Sequence, residues 1–415
     1  MSGDIDRTSF VTHLEAAIDG TRYPANTLQT LHDGRPLWVR YDLDALGRVV
    51  SRGDLARREP TMWRYRELLP VSRWDGRATL GESMTPILPC PRLGRRLGLT
   101  NLFIKDESRL PTGSFKARGM AMAVTMAREL GVTVAAAPTA GNAGGALAAY
   151  AARAGMKCVV FMPADTPVVN RLEAALYGAR AFLVNGLIHD CGRLVAEGAG
   201  RFGWFDFSTL KEPYRLEGKK TMGLELAEQF DWELPDAIFY PTGGGTGLIG
   251  MWKAFEELAA LGWLASDRRP RMYACQSEGC DPIVRAFEAG QRFAETRENA
   301  ATIASGLRVP KAVGDFMILD AVRASGGKAL RASEDRLRHW MGLASADEGL
   351  AICPETAACL DALEGAVRSG EVKAGERVVV FNTGAAQKYV EAMDTDLPRL
   401  DVVDVDWQAV ERALA

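Results

Sequence analysis

Ala237-Ile238-Phe239-Tyr240-Pro241-Thr242-Gly243-Gly244-Gly245-Thr246-Gly247 is an apolar run that breaks into a nearly continuous glycine turn. A helical pattern follows over 248–261. Strand, tight turn and helix in that order are the repeating unit of an α/β protein. The same alternation runs outward from this stretch in both directions. Strands are expected at 102–105, 132–137, 157–162, 181–184, 271–276 and 377–382. Helices are expected at 117–130, 143–154, 170–177, 219–230, 282–289 and 355–369. Short linkers between such elements predict open, mostly parallel sheets with helices on both faces. Upstream, residues 37–41 read as a strand and 63–69 as a short helix stopped by Pro70, while 291–306 reads as a loop.

Consecutive glycines at the start of a helix let backbone N–H groups converge on an anion, and the helix dipole adds positive charge. Gly243, Gly244, Gly245, Thr246 and Gly247 therefore read as a phosphate cradle, or else as a turn chosen for close packing. They do not form a P-loop, because no Gly-Lys-[Ser/Thr] follows. The strand at 132–137 runs into Pro138-Thr139-Ala140-Gly141-Asn142-Ala143-Gly144-Gly145. Its amides and the Thr139 hydroxyl suit a carboxylate, and the Asn142 amide suits a phenolate oxygen. The alternative is an ordinary βα turn with Asn142 as the N-cap. The last strand ends in Phe381-Asn382-Thr383-Gly384, where ligands gather in open α/β sheets and the Thr383 hydroxyl suits a ring nitrogen. Upstream of all three lies Pro111-Thr112-Gly113-Ser114-Phe115-Lys116-Ala117-Arg118-Gly119. A lysine held by a rigid turn at a helix start is placed to form an imine with a carbonyl cofactor.

An amine, a phosphate cradle, a phenolate donor and a ring-nitrogen partner are the needs of pyridoxal 5'-phosphate. In their chain order of lysine, asparagine loop, glycine turn and threonine, they resemble the fold-type II pyridoxal-phosphate enzymes, and among them the threonine synthase-like group. The resemblance spans about residues 41–389. It includes Leu80-Gly81-Glu82-Ser83-Met84-Thr85-Pro86 and Pro213-Tyr214-Arg215-Leu216-Glu217-Gly218-Lys219-Lys220-Thr221. It implies Lys116 as the Schiff-base lysine with Phe115 packed near the ring, Asn142 at the phenolate, residues 243–247 at the phosphate and Thr383 at the ring nitrogen. Thr139, Ala140, Ala143 and Arg193 are implied as substrate contacts. It also implies an N-terminal arm at 1–75, a large cofactor domain from 76–118 and 211–415, and a small mobile domain at 119–210, with the cofactor between the two domains. The family is usually homodimeric.

The implied activity is a lyase of the threonine synthase type, with O-phosphohomoserine as the default substrate. Several departures favour an alternative, an ammonia-lyase acting on a β-substituted amino acid. Ala140-Gly141-Asn142-Ala143-Gly144-Gly145-Ala146 lacks the hydroxyls that synthases carry after the asparagine, and Lys116 is followed by alanine rather than aspartate. Of a segment that relatives share, Gly186-Leu187-Ile188-His189-Asp190-Cys191-Gly192-Arg193 keeps the glycine, one aspartate and the arginine. A phosphorylated substrate would need Arg193, Lys219 or Lys220, which otherwise read as a solvated face. A third reading is a non-catalytic scaffold that has kept the fold.

The composition agrees with a globular enzyme: 415 residues, 47% apolar, 25% charged and a net charge of −3. That balance gives no reason to expect nucleic acid or an anionic membrane. No apolar run spans a bilayer and the N-terminus has no signal pattern, so the cytoplasm is the expected compartment. The seven cysteines are scattered without a CxxC pair and read as buried thiols. No metal site is expected; His13 and His32 supply two ligands at most.

Overall fold

The computed structural model describes residues 9–393, 403 and 405–414; residues 1–8 of the expected arm lie outside that range. Three sheets organise the chain. The largest has six strands, in the order Ala329–Ala332, Arg271–Ser277, Ala237–Pro241, Arg377–Asn382, Asn101–Asp106, Ile87–Pro89. Every pairing is parallel except the last, so the sheet is mixed. The antiparallel strand ends in Pro89, which sits at the sheet edge where its missing N–H removes no ladder bond. The central strands Ala237–Pro241 and Arg377–Asn382 are buried almost throughout, as expected for a sheet covered on both faces.

A second sheet has four parallel strands, ordered Arg180–Val184, Lys157–Pro163, Val134–Pro138, Phe205–Asp206. The buried alanines Ala135, Ala136 and Ala137 let the helix Asn142–Ala154 pack close to this sheet. The third sheet is antiparallel and lies in the N-terminal arm: Arg22–Pro24, Val11–Ala16, Leu37–Tyr41. Sequence periodicity showed only the last of these strands, because Val11 is out of phase with the buried Leu14 and Ala16, across a register shift between Val11 and His13.

Helices fall close to the expected positions, with instructive exceptions. The helix expected to start at residue 219 starts at Tyr214, because the Glu212 carboxylate accepts the Tyr214 and Arg215 N–H groups at 2.7 and 3.1 Å. The expected helix at 63–69 is a 3-10 turn, Met62–Leu68. Helices Pro91–Leu97, Ile188–Phe202, Asp315–Ala324 and Leu337–Glu348 were not read from the sequence. All seven cysteines are buried free thiols. Among the described residues no helix is long and apolar enough to cross a membrane, and no three His, Cys, Asp or Glu side chains cluster as a metal site.

The helix Lys116–Glu129 is locked to the helix Tyr214–Gln229 by a buried ionic network. Arg118 donates to Glu107 at 2.6 and 2.9 Å and to Glu225 at 2.6 and 2.8 Å. Lys105 donates to Glu225 at 2.9 Å and to the Thr85 carbonyl at 2.8 Å. Burial alone would raise the Glu225 pKa, but Arg118 and Lys105 hold it down at about 2. Removing one member of such a network leaves an unpaired buried charge. Arg118→Met is therefore expected to destabilise the protein by about 3–5 kcal/mol, read from the urea midpoint at constant slope.

Candidate active site

The segment 111–119 is pinned rather than free. Thr112 and Gly113 take left-handed backbone, with φ of 63° and 61°. That conformation suits glycine but strains a β-branched threonine. Three contacts hold it: Lys388 Nζ donates to the Thr112 carbonyl at 2.8 Å, Ala385 N–H to Gly113 at 2.9 Å, and Phe115 N–H to Thr383 at 3.0 Å. The turn is thus stapled to the carboxyl end of the strand Arg377–Asn382, and Lys116 opens the next helix.

The structure brings Lys116, Phe115, Asn142, Gly243, Gly244, Gly245, Thr246, Gly247 and Thr383 around one cavity. Lys116 Nζ lies 4.2 Å from the centre of the Phe115 ring, and Lys219 Nζ lies 4.0 Å from it. Lys219 also donates to the Phe115 carbonyl. Among the described residues no hydrogen bond or ion pair engages the Lys116 amine. Desolvation and then the nearby Arg215 charge bring its pKa down to about 7, against the opposing pull of Glu355 and Cys353.

Asn142 donates from its side-chain amide to the Tyr389 hydroxyl at 2.9 Å, and its Oδ1 has no partner. It is not the N-cap. Gly141 holds that position, and the Thr139 hydroxyl accepts the Gly141 and Gly144 N–H groups, each at 3.2 Å. Thr139 also donates to the Gly141 carbonyl at 2.9 Å, so its hydroxyl is committed to the turn. The glycine turn is closely packed. A Cβ on Gly244 would lie 2.7 Å from Thr209 Cγ2, and one on Gly247 would strike the Tyr240 hydroxyl. The turn also lines the cavity, with the helix Thr246–Ala260 beginning inside it.

Other expected residues are placed elsewhere. Thr139, Ala140 and Ala143 surround Asn142 but are not cavity walls. Arg193 lies exposed on the helix Ile188–Phe202 and pairs with Glu197 at 3.0 Å, away from the cavity, because helical spacing presents it to solvent. Lys220 is buried between Glu217 and Glu257 at 2.7 and 2.9 Å, not on a solvated face. Sequence reasoning missed Thr209, Tyr240, Gly306, Glu355 and Tyr389 as walls. Glu355 had one visible signal, an acidic residue behind Pro354 at a helix start, and that signal reports the helix alone.

The cavity draws on both the six-stranded and the four-stranded sheet. Asn142 comes from the four-stranded side, and that side is tied across by Arg308–Asp165 at 2.7 Å and Lys388–Glu173 at 2.6 Å. Residues 78–384 match the family model described as pyridoxal-phosphate dependent enzyme. This chain belongs to the pyridoxal-phosphate dependent enzymes. It is a lyase of the threonine synthase type. The threonine synthase of Methanocaldococcus jannaschii is 33% identical over 388 residues, covering 93% of this chain and 95% of that one. The threonine synthase of Methanosarcina acetivorans is 34% identical over 356 residues, covering 86% and 87%. The enzyme also shares its fold with maize serine racemase, with a TM-score of 0.63 and 21% identity over 80% of this chain and 92% of that one.

A lysine with a pKa near 7 is half neutral at neutral pH, and only the neutral amine attacks a carbonyl. Capture of pyridoxal phosphate by the stripped enzyme should therefore quicken about tenfold per pH unit up to about pH 7 and level off above it. Stopped-flow growth of the visible band measures this. A rate still climbing at pH 9 would mark an ordinary lysine instead.

Proposed function

We propose that the enzyme is an ammonia-lyase built on the threonine synthase frame, catalysing α,β-elimination from a small β-substituted amino acid. One observation carries this reading: among the described wall residues Lys116 is the sole cation, and Glu355 is in the wall with it. A phosphate on the substrate would need charge-assisted donors of its own, each contributing about 1.5–3 kcal/mol. Arg193 and Lys220 are engaged elsewhere.

The wall chemistry fits the family's cofactor. Lys116 supplies an amine for its carbonyl, and residues 243–247 supply unsubstituted backbone at a helix start for its phosphate. The Asn142 amide suits the phenolate oxygen, and the Thr383 hydroxyl suits the ring nitrogen. When bound, the cofactor supplies a ring that takes up the electron pair left at Cα. Lys116, freed once the substrate's amine takes its place at the cofactor carbonyl, would remove the Cα proton in its neutral form. The β-substituent leaves with its bonding pair and takes a proton from the same lysine. The released enamine then adds water and loses ammonia, giving a 2-oxo acid. Backbone N–H groups at the start of the helix Asn142–Ala154 suit the substrate carboxylate.

The relatives' names favour a second reading, conversion of O-phosphohomoserine to threonine. Holoenzyme incubated with L-threonine, L-serine and O-phosphohomoserine separates the two. We expect 2-oxo acid from threonine or serine and no phosphate release. Phosphate released together with threonine would establish the second reading instead. Lys116→Ala should lose the visible cofactor band and about 10²–10⁴ in kcat. A protein with no visible band, unchanged by that substitution, would be a scaffold.

A further inference from the structure

Glu355 stands at the second position of the helix Pro354–Arg368 and is 4% exposed, in the cavity wall. One carboxylate oxygen accepts the Gly306 N–H at 2.8 Å. The other is buried without a well-aligned donor, although the Tyr389 hydroxyl and the Cys353 thiol lie beside the carboxylate. Gly306 is itself a wall residue, and a Cβ there would lie 2.8 Å from Glu355 Oε1, so only glycine lets the loop rest on this carboxylate. Among the described residues no lysine, arginine or histidine forms an ion pair with Glu355. Besides Lys116 in the wall, the surrounding cations are committed: Arg308 to Asp165 at 2.7 Å, Lys388 to Glu173 at 2.6 Å, Arg215 to the Phe207 carbonyl at 2.6 Å, and Lys219 to the Phe115 carbonyl.

A buried carboxylate oxygen without a well-aligned donor is unfavourable until something supplies one. Its field is nevertheless felt around the cavity. After burial itself, Glu355 is the main reason that Tyr389 and Cys353 hold their protons, and it opposes the depression of the Lys116 pKa. In a cavity of low dielectric, a second anion near this oxygen is repelled, whereas an O–H or N–H⁺ group is attracted.

We propose that Glu355 selects the substrate's β-substituent, admitting hydrogen-bond donors such as a hydroxyl or an ammonium and rejecting phosphate esters. This rests on the elimination reading above and adds the residue that enforces it. Glu355 is a specificity-determining residue here; Lys116 handles the proton.

The test is binding to the holoenzyme before turnover, read by stopped flow as the initial shift of the visible cofactor band against probe concentration. The probes are L-serine, L-2,3-diaminopropionate, O-phospho-L-serine and O-phospho-L-homoserine. The wild type should bind the first two at least about tenfold more tightly than either ester. Glu355→Gln keeps an acceptor for the Gly306 N–H but removes the charge. It should shrink that ratio about tenfold or more at unchanged cofactor content, a change that a merely structural role would not produce. Glu355→Asp keeps the charge and should keep the wild-type order. A uniform loss across all four probes in Glu355→Gln, with serine or threonine still turned over by the wild type, overturns the proposal alone. Tightest binding of O-phosphohomoserine by the wild type, with phosphate release, overturns both the proposal and the elimination reading. The wild-type ratio needs no variant and, if absent, overturns the proposal by itself.

Discussion

Arg118 holds the architecture around the site. Its guanidinium has no exposed surface and is gripped on two sides, by Glu107 after the strand Asn101–Asp106 and by Glu225 on the helix Tyr214–Gln229. Such a charge is stable inside a protein only when nearly every N–H has a partner, which leaves little freedom for the three segments that supply the partners. The backbones approach closely there: a Cβ on Gly218 would collide with the Arg118 carbonyl, and one on Gly119 would lie 3.0 Å from Lys219 Cε. Lys116 stands two residues before Arg118 on the same helix. Its position is therefore set by a charged network that takes no part in chemistry.

The same crowding shapes the electrostatics of the cavity. Phe115 carries a lysine amine near its ring from Lys116 and another from Lys219. Lys219 is wholly buried, and burial followed by its cationic neighbours keeps its pKa far below the ordinary lysine range. Lys116 is depressed less, because Glu355 and Cys353 pull the other way. A neutral nucleophilic amine at physiological pH thus follows from packing plus a balance of nearby charges. The same balance leaves the cavity poor in cations and puts one carboxylate in its wall, a setting suited to small substrates that carry no second phosphate.

The candidate site was legible where backbone chemistry demands particular residue types. A glycine-rich turn behind an apolar strand, a lysine behind a Thr-Gly-Ser turn and a threonine at the end of the last strand each have few other uses, and the fold gathers all three. Asn142 was ambiguous because an asparagine before a helix is usually a cap. Only the structure shows Thr139 capping that turn and leaving the Asn142 amide to Tyr389. Arg193 was misplaced for a related reason: a charge on a helix can face either way, and nothing in its own segment says which.

By itself the sequence determined the α/β alternation, the cofactor family and a set of candidate residues for its site, because these depend on local periodicity and on residue types within one turn. The tertiary structure alone decided that Lys219 and Lys220 are buried, that Arg193 is remote and that Glu355 enters the cavity wall. Those properties arise from contacts between segments far apart in the chain. Desolvation and charge pairing are set by neighbours in space, and no local pattern encodes them.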